Sequence, residues 1–152
     1  MRETFHTLFG KYNLDLVLSG HTQYYQRTFP SSYNKDNDLH PVITNHKNYE
    51  DNNKNGIIFV TAGNAGDGLH KIDSSLPYAV IQERTHGFLN FDVKDNGNTL
   101  VGTFYGNKDL KILDTFTLSK NGKYNNDSYE SFASISKEYH SIYEDKKENS
   151  KT

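Results

Sequence analysis

An α/β fold built from one amphipathic helix, two core strands and an antiparallel meander is what this sequence of 152 residues predicts. Three observations carry that expectation. An apolar stripe at helical spacing lies near the start, two apolar runs each empty into a glycine loop, and an Asp-Asn-Gly-Asn turn joins alternating segments. The composition agrees: hydrophobic content is only 34%, yet 11 Tyr and 9 Phe favour sheet over a helical bundle, with aromatic rings supplying much of the core.

Phe5, Leu8, Phe9 and Tyr12 recur as neighbours on one helical face over residues 1–12, and that face should pack on a sheet. Residues 14–18 form a short apolar run that enters Ser19-Gly20-His21, the pattern of a buried strand opening into a loop. Residues 29–55 are rich in Asn, Asp, Lys and Ser and hold two prolines, so they read as an excursion over the surface. Residues 56–62 (GIIFVTA) are β-branched enough for a second buried strand, which runs into Gly63-Asn64-Ala65-Gly66-Asp67-Gly68. That glycine loop is not a nucleotide cradle, because no helix start follows it.

Residues 73–83 carry no assignable pattern. Residues 87–94 alternate, with Phe88, Asn90 and Asp92 on one face and Leu89, Phe91 and Val93 on the other. Asp95-Asn96-Gly97-Asn98 tolerates the positive φ of a hairpin turn, residues 99–105 return as its partner, and a turn at 106–109 leads to a third strand over 111–118. Beyond Ser119 the chain turns polar, although Phe132, Ile135, Tyr139, Ile142 and Tyr143 fall at helical spacing. The expected division is therefore a domain over residues 1–120 and a polar tail with a marginal helix over 121–152.

Charge and residue usage exclude several classes. With 17 Lys+Arg against 19 Asp+Glu there is no basic excess, so neither nucleic acid nor a membrane surface is an expected partner. Without cysteine there is neither a disulfide framework nor a thiolate metal site. No run approaches the ~20 apolar residues of a membrane span. The first residues lack the continuous apolar stretch of a signal peptide, and the compartment is unknown.

The run Asp15-Leu16-Val17-Leu18-Ser19-Gly20-His21-Thr22-Gln23-Tyr24-Tyr25-Gln26-Arg27-Thr28 resembles the closing motif of purple acid phosphatases and related calcineurin-like metallophosphoesterases. In that family a hydrophobic strand ends in Gly-His-x-His-x-Tyr-Glu-Arg, and Gly20, His21, Tyr25 and Arg27 match it position by position. The helix, the strand and loop over 56–68, the His86-Gly87-Phe88 strand start and the meander resemble, in the same order, the last part of the family's catalytic domain. The resemblance covers residues 1–120 and implies the C-terminal portion of a metallophosphoesterase α/β sandwich, its meander packing against strands from elsewhere.

What the family does with this motif is two-metal chemistry: paired ions, Fe with Zn or Mn, polarise a phosphoryl oxygen and acidify a bound water. By resemblance His21 would bind one ion, and position 23 would supply the histidine for the other. Here position 23 is Gln, whose neutral carbonyl oxygen is a poorer donor than imidazole toward iron or zinc. Gly20, Tyr25 and Arg27 would support the loop, and His70, which follows the glycine loop, is either an ordinary loop residue or one that stands behind the ligands or faces substrate. His86 reads as a hydrogen-bonded structural histidine, and His40, His46 and His140 as solvent-exposed.

The family's earlier ligand motifs, Asp-x-Gly, Gly-Asp-x-x-Tyr, Gly-Asn-His and a later His-bearing loop, do not occur in order in this chain. No catalytic residue is therefore assigned. The implied function is metal-dependent hydrolysis of phosphate monoesters of acid-phosphatase type, incomplete and inactive in this chain alone, with a fragment's need for the N-terminal half of the same domain. The alternative is a non-catalytic binding or surface module on a phosphatase scaffold. Uncovered apolar surface predicts self-association, and family members are often extracytoplasmic.

Overall fold

The structure is a computed structural model and describes residues 2–12, 14–37, 40–45 and 56–119. All of them belong to one compact unit, Met1–Gly122. Helix α1 (Arg2–Lys11) leads into β1 (Leu16–Ser19), which pairs in parallel with β5 (Ile58–Ala62), Leu16 opposite Ile58 and Ser19 opposite Thr61. On the far side of β5 lies β2 (Tyr25–Thr28), antiparallel to it and to β6 (Ala79–Glu83), giving a four-stranded sheet in the order β1-β5-β2-β6. Two short strands, β3 (Ser31–Ser32) and β4 (Val42–Ile43), form a separate ladder.

The meander is a second sheet of β7 (Gly87–Lys94), β8 (Thr99–Gly106) and β9 (Ile112–Ser119). Its first turn is a 3₁₀ turn, Asp95–Gly97, in which Asp95, Asn96 and Gly97 take φ of 52°, 54° and 89°. The Asn-Gly chemistry that predicted the hairpin is the chemistry that tolerates this left-handed backbone.

The core lies between the two sheets. Tyr25, Ile58 and Val60 from the first meet Phe104 and Phe116 from the second, with Leu89 and Phe91 of β7 packed alongside. Tyr25 stacks flat on Phe104 with 3.9 Å between ring centroids, and Phe91 meets Phe116 edge-on at 6.2 Å. Gly102 makes room for Phe116, whose ring would lie 2.4 Å from a Cβ at that position. Full burial of each such aromatic is worth about 1.5–3 kcal/mol, so these rings join the sheets. The meander thus packs on a sheet of this same chain.

Four features differ from the sequence reading. Strand β1 is an edge and not a buried strand, and Leu18 is 54% exposed. The apolar face of α1 is not its packing face: Phe5, Leu8 and Tyr12 are exposed, while His6 stacks on Phe59 of β5 at 4.4 Å. The polar excursion is anchored, since Ser31 is buried and exchanges backbone hydrogen bonds with Ile57. Strands β2 and β6 were not legible. All five residues of β6 are half-buried, which leaves no alternation to read, and β2 (YQRT) buries an arginine where a core strand would show an apolar residue. The expected helix after residue 120, His46 and His140 lie outside the described residues.

Candidate functional site

Parallel pairing of β1 with β5 brings the loops that follow the two strands, residues 20–24 and 63–70, to the same end of the sheet. Such strand ends are where α/β sheets present chemistry. The loops touch at Gly63, where a Cβ would lie 2.3 Å from the Thr22 carbonyl oxygen, so only glycine permits this approach.

Within the first loop the left-handed residue is His21, at φ 69°, and not Gly20. A non-glycine residue in this region is uncommon and costs energy that its surroundings must supply. Turn bonds from the Thr22 N–H to the Gly20 carbonyl (2.8 Å) and from the Tyr24 N–H to the Thr22 carbonyl (2.9 Å) hold it. His21 is exposed at the tip.

Gln23 joins the two loops. Its Nε2 donates to Asp67 Oδ2 at 2.7 Å, its backbone N–H donates to His70 Nδ1 at 3.2 Å, and its carbonyl accepts the His70 N–H at 3.0 Å. Arg84 holds the second loop from behind, donating from Nε to the His70 carbonyl (3.1 Å) and from Nη2 to that of Leu69 (3.2 Å). His86 Nε2 donates to the Asp67 carbonyl at 2.9 Å, and buried Asn64 donates to the Thr85 carbonyl. The Gly68 N–H first, and the Gln23 amide second, hold the Asp67 carboxyl below its ordinary range.

Tyr25 and Arg27 sit two and four residues beyond Gln23 with their side chains in the core. The Tyr25 hydroxyl donates to Asp114 Oδ2 at 2.7 Å, and Arg27 reaches the same carboxylate through Nε to Oδ2 (2.6 Å) and Nη2 to Oδ1 (2.8 Å). Arg27 is 1% exposed and Asp114 8%. The bidentate geometry compensates charge that burial would otherwise penalise. Burial foremost, with the Asp114 charge next, holds the Tyr25 phenol protonated well above the usual range. The base of the loop is thereby tied through β2 to β9 of the other sheet.

The resemblance implied that His21, Gln23 and His70 lie around one site; the structure bonds Gln23 to His70 and adds Asp67 and Asp114, which had not been singled out. An Asp in a glycine loop gives no signal, because turn chemistry explains it equally well. Asp114 does leave a trace: it occupies the core phase of β9, two residues before buried Phe116.

The mixed sheet, the loop at its strand ends and the packed meander match a fragment of the purple acid phosphatase fold, and the relatives agree. The chain is 29% identical over 126 residues to "Probable inactive purple acid phosphatase 1" of Arabidopsis thaliana, covering 78% of this chain and 18% of that protein. It is 26% identical over 120 residues to "Nucleotide pyrophosphatase/phosphodiesterase" of Hordeum vulgare, covering 78% of this chain and 31% of the relative. A solved purple acid phosphatase from yellow lupin (Lupinus luteus) seeds superposes with a TM-score of 0.66 and 27% identity, over 78% of this chain and 20% of its own. No family model matches. The chain is purple acid phosphatase-like in sequence and in fold. It spans less than a third of the length of each of these relatives.

Purple acid phosphatases are metal-dependent. The described residues do not fit a metal pair on their own. Among the described residues no three His, Cys, Asp or Glu side chains gather as a metal-holding group. The side chain at position 23 turns its amide hydrogens, not a lone pair, toward the nearest carboxylate.

Proposed function

We propose that this chain forms one wall of a purple-acid-phosphatase-type phosphoesterase site, the wall that carries His21, and that it does not hydrolyse phosphate monoesters by itself. The observation that carries the reading is the meeting of the 20–24 and 63–70 loops at one end of the β1–β5 pair, with His21 held in a left-handed conformation at the tip. In this reading His21 is a metal donor, and Gly20, Tyr25 and Arg27 hold its loop. The remaining donors and the second ion of an Fe–Zn or Fe–Mn pair come with the N-terminal half of the same domain. The substrate class is a phosphate ester, in keeping with the names of the relatives.

Elemental analysis after purification, and again after exposure to Fe, Mn or Zn, tests this together with p-nitrophenyl phosphate hydrolysis by the chain and its Gln23→His variant. Neither form should retain two ions or turn over. Two tightly held ions with turnover in the unaltered chain would overturn the reading.

A second reading is supported by Gln23 itself and by relatives whose names include "inactive": a binding or surface module that keeps the scaffold without the chemistry. Fusing the chain behind a segment that carries the missing Asp, Asn and His motifs separates the two. Turnover by the Gln23→His fusion supports the enzyme wall, and a metal-free fusion supports the module.

A further inference from the structure

We infer that position 23 works as a latch: Gln23 fixes the His21 loop against the 63–70 loop through Asp67 and His70, so that the protein's own groups set a loop geometry that does not depend on an ion. The inference deepens the reading above and rests on it for the meaning of position 23.

Three hydrogen bonds converge on this one residue. The backbone of Gln23 exchanges bonds with His70 in both directions, to the ring Nδ1 and from the N–H, and the side chain adds the 2.7 Å bond to Asp67. Carboxylate oxygens only accept, so the amide must present its NH₂ group to Asp67 and cannot present Oε1 there. A cation drawn to the Asp67 carboxylate would meet those amide hydrogens and would have to break the bond before Gln23 could offer a lone pair. The far side of the latch is braced, since Arg84 holds the carbonyls of Leu69 and His70 and His86 holds that of Asp67. Gly63 lets the two backbones close. Each of these bonds uses a donor and an acceptor from this chain.

Latch and metal donor make opposite predictions for Gln23→Glu. A carboxylate is the better metal donor, so a donor position should gain affinity and order. A latch should open, because two carboxylates would then face each other across a distance that now holds a hydrogen bond. Adding Asp67→Asn to that variant returns one amide and one carboxylate with their roles exchanged, and should close the latch again.

The test is backbone amide hydrogen exchange of residues 21–24 and 67–70 in the full chain, with EDTA and with added Zn or Mn, with bound metal assayed in parallel. Protection in the unaltered chain should be the same under all three conditions. Gln23→Glu should speed exchange at these amides by about threefold or more while β8 amides are unchanged, and Gln23→Glu/Asp67→Asn should restore it. Gln23→Leu, which removes only the side-chain bond, should give a smaller acceleration and decides the matter if the Glu variant fails to fold. Acceleration by EDTA in the unaltered chain, or slower exchange with bound metal in Gln23→Glu, would overturn the latch. Turnover of p-nitrophenyl phosphate by the unaltered chain would instead sink the reading of an incomplete enzyme, leaving the exchange data to judge the latch.

Discussion

Two carboxylates hold the segment that runs from Gln23 through β2, one at each end and in opposite surroundings. Asp114 receives Tyr25 and Arg27 in the core between the sheets, while Asp67 receives Gln23 on an exposed rim. The bonds have similar lengths, yet water decides their weight. In the core, removing one partner strands a charge where no solvent can reach it; on the rim, water replaces a lost partner at once. The inner clasp therefore governs whether the sheets stay together, and the outer one governs where a loop points.

Breaking the inner clasp should have the largest effect. Asp114→Asn leaves the buried Arg27 guanidinium without its counter-charge and should lower unfolding free energy by about 3–5 kcal/mol in urea titration. The triple change Tyr25→Phe/Arg27→Met/Asp114→Leu should recover most of that loss, because apolar groups avoid the desolvation of both ions and no buried hydroxyl is left without its acceptor. Recovery would show that the clasp specifies the sheet pairing more than it stabilises it.

Tyr25→Phe is the milder probe of the same clasp. It keeps the stack on Phe104 and removes only the hydrogen bond to the carboxylate, at a cost of about 1.5–3 kcal/mol by the same titration. The pH dependence has a definite sign. Tyr25 in the folded chain keeps its proton well above the usual range, whereas the unfolded chain releases it near about 10. Between those values the folded state binds the extra proton, so stability is fully present below the unfolded value and falls as pH rises past it, by up to about 1.4 kcal/mol per pH unit. Urea titrations from neutral to alkaline pH should show this slope in the unaltered chain and its loss in Tyr25→Phe.

The contrast between the two clasps is also a contrast in what a sequence reveals. Gly20, His21, Tyr25 and Arg27 drew notice only through their resemblance to a family motif, whereas the meander was legible because Leu89, Phe91 and the Asn-Gly turn obey simple periodicities. Strand β2 was hidden by its own polarity: its arginine is buried where Asp114, 87 residues away, meets it. The exposed apolar side of α1 misled for the complementary reason, since a stripe at helical spacing says nothing about which partner covers it, and here His6 makes the stack on the sheet. Asp67 offered no clue because its role depends on a parallel strand pairing between segments some forty residues apart. Local patterns announce elements, and polar pairs between elements become visible only once the fold has brought them together.

The rim gives the smallest effect and the cleanest one. Asp67→Ala should leave the urea midpoint unchanged, because the carboxylate is open to solvent and its removal strands no charge. What should change is local. The Asp67 carboxyl is held below its ordinary range by the Gly68 N–H and then by Gln23, so the bond to Gln23 is present above the usual carboxylate pKa and is lost as pH falls through the lowered folded value. The side-chain amide resonances of Gln23, followed by NMR through that acid range, should report the titration of Asp67 directly. In Asp67→Ala they should no longer move, while the core amides of β8 stay protected in both proteins. A Gln23 amide indifferent to pH in the unaltered chain would mean that the side-chain bond to Asp67 is absent in solution, leaving the outer clasp to the backbone bonds between Gln23 and His70.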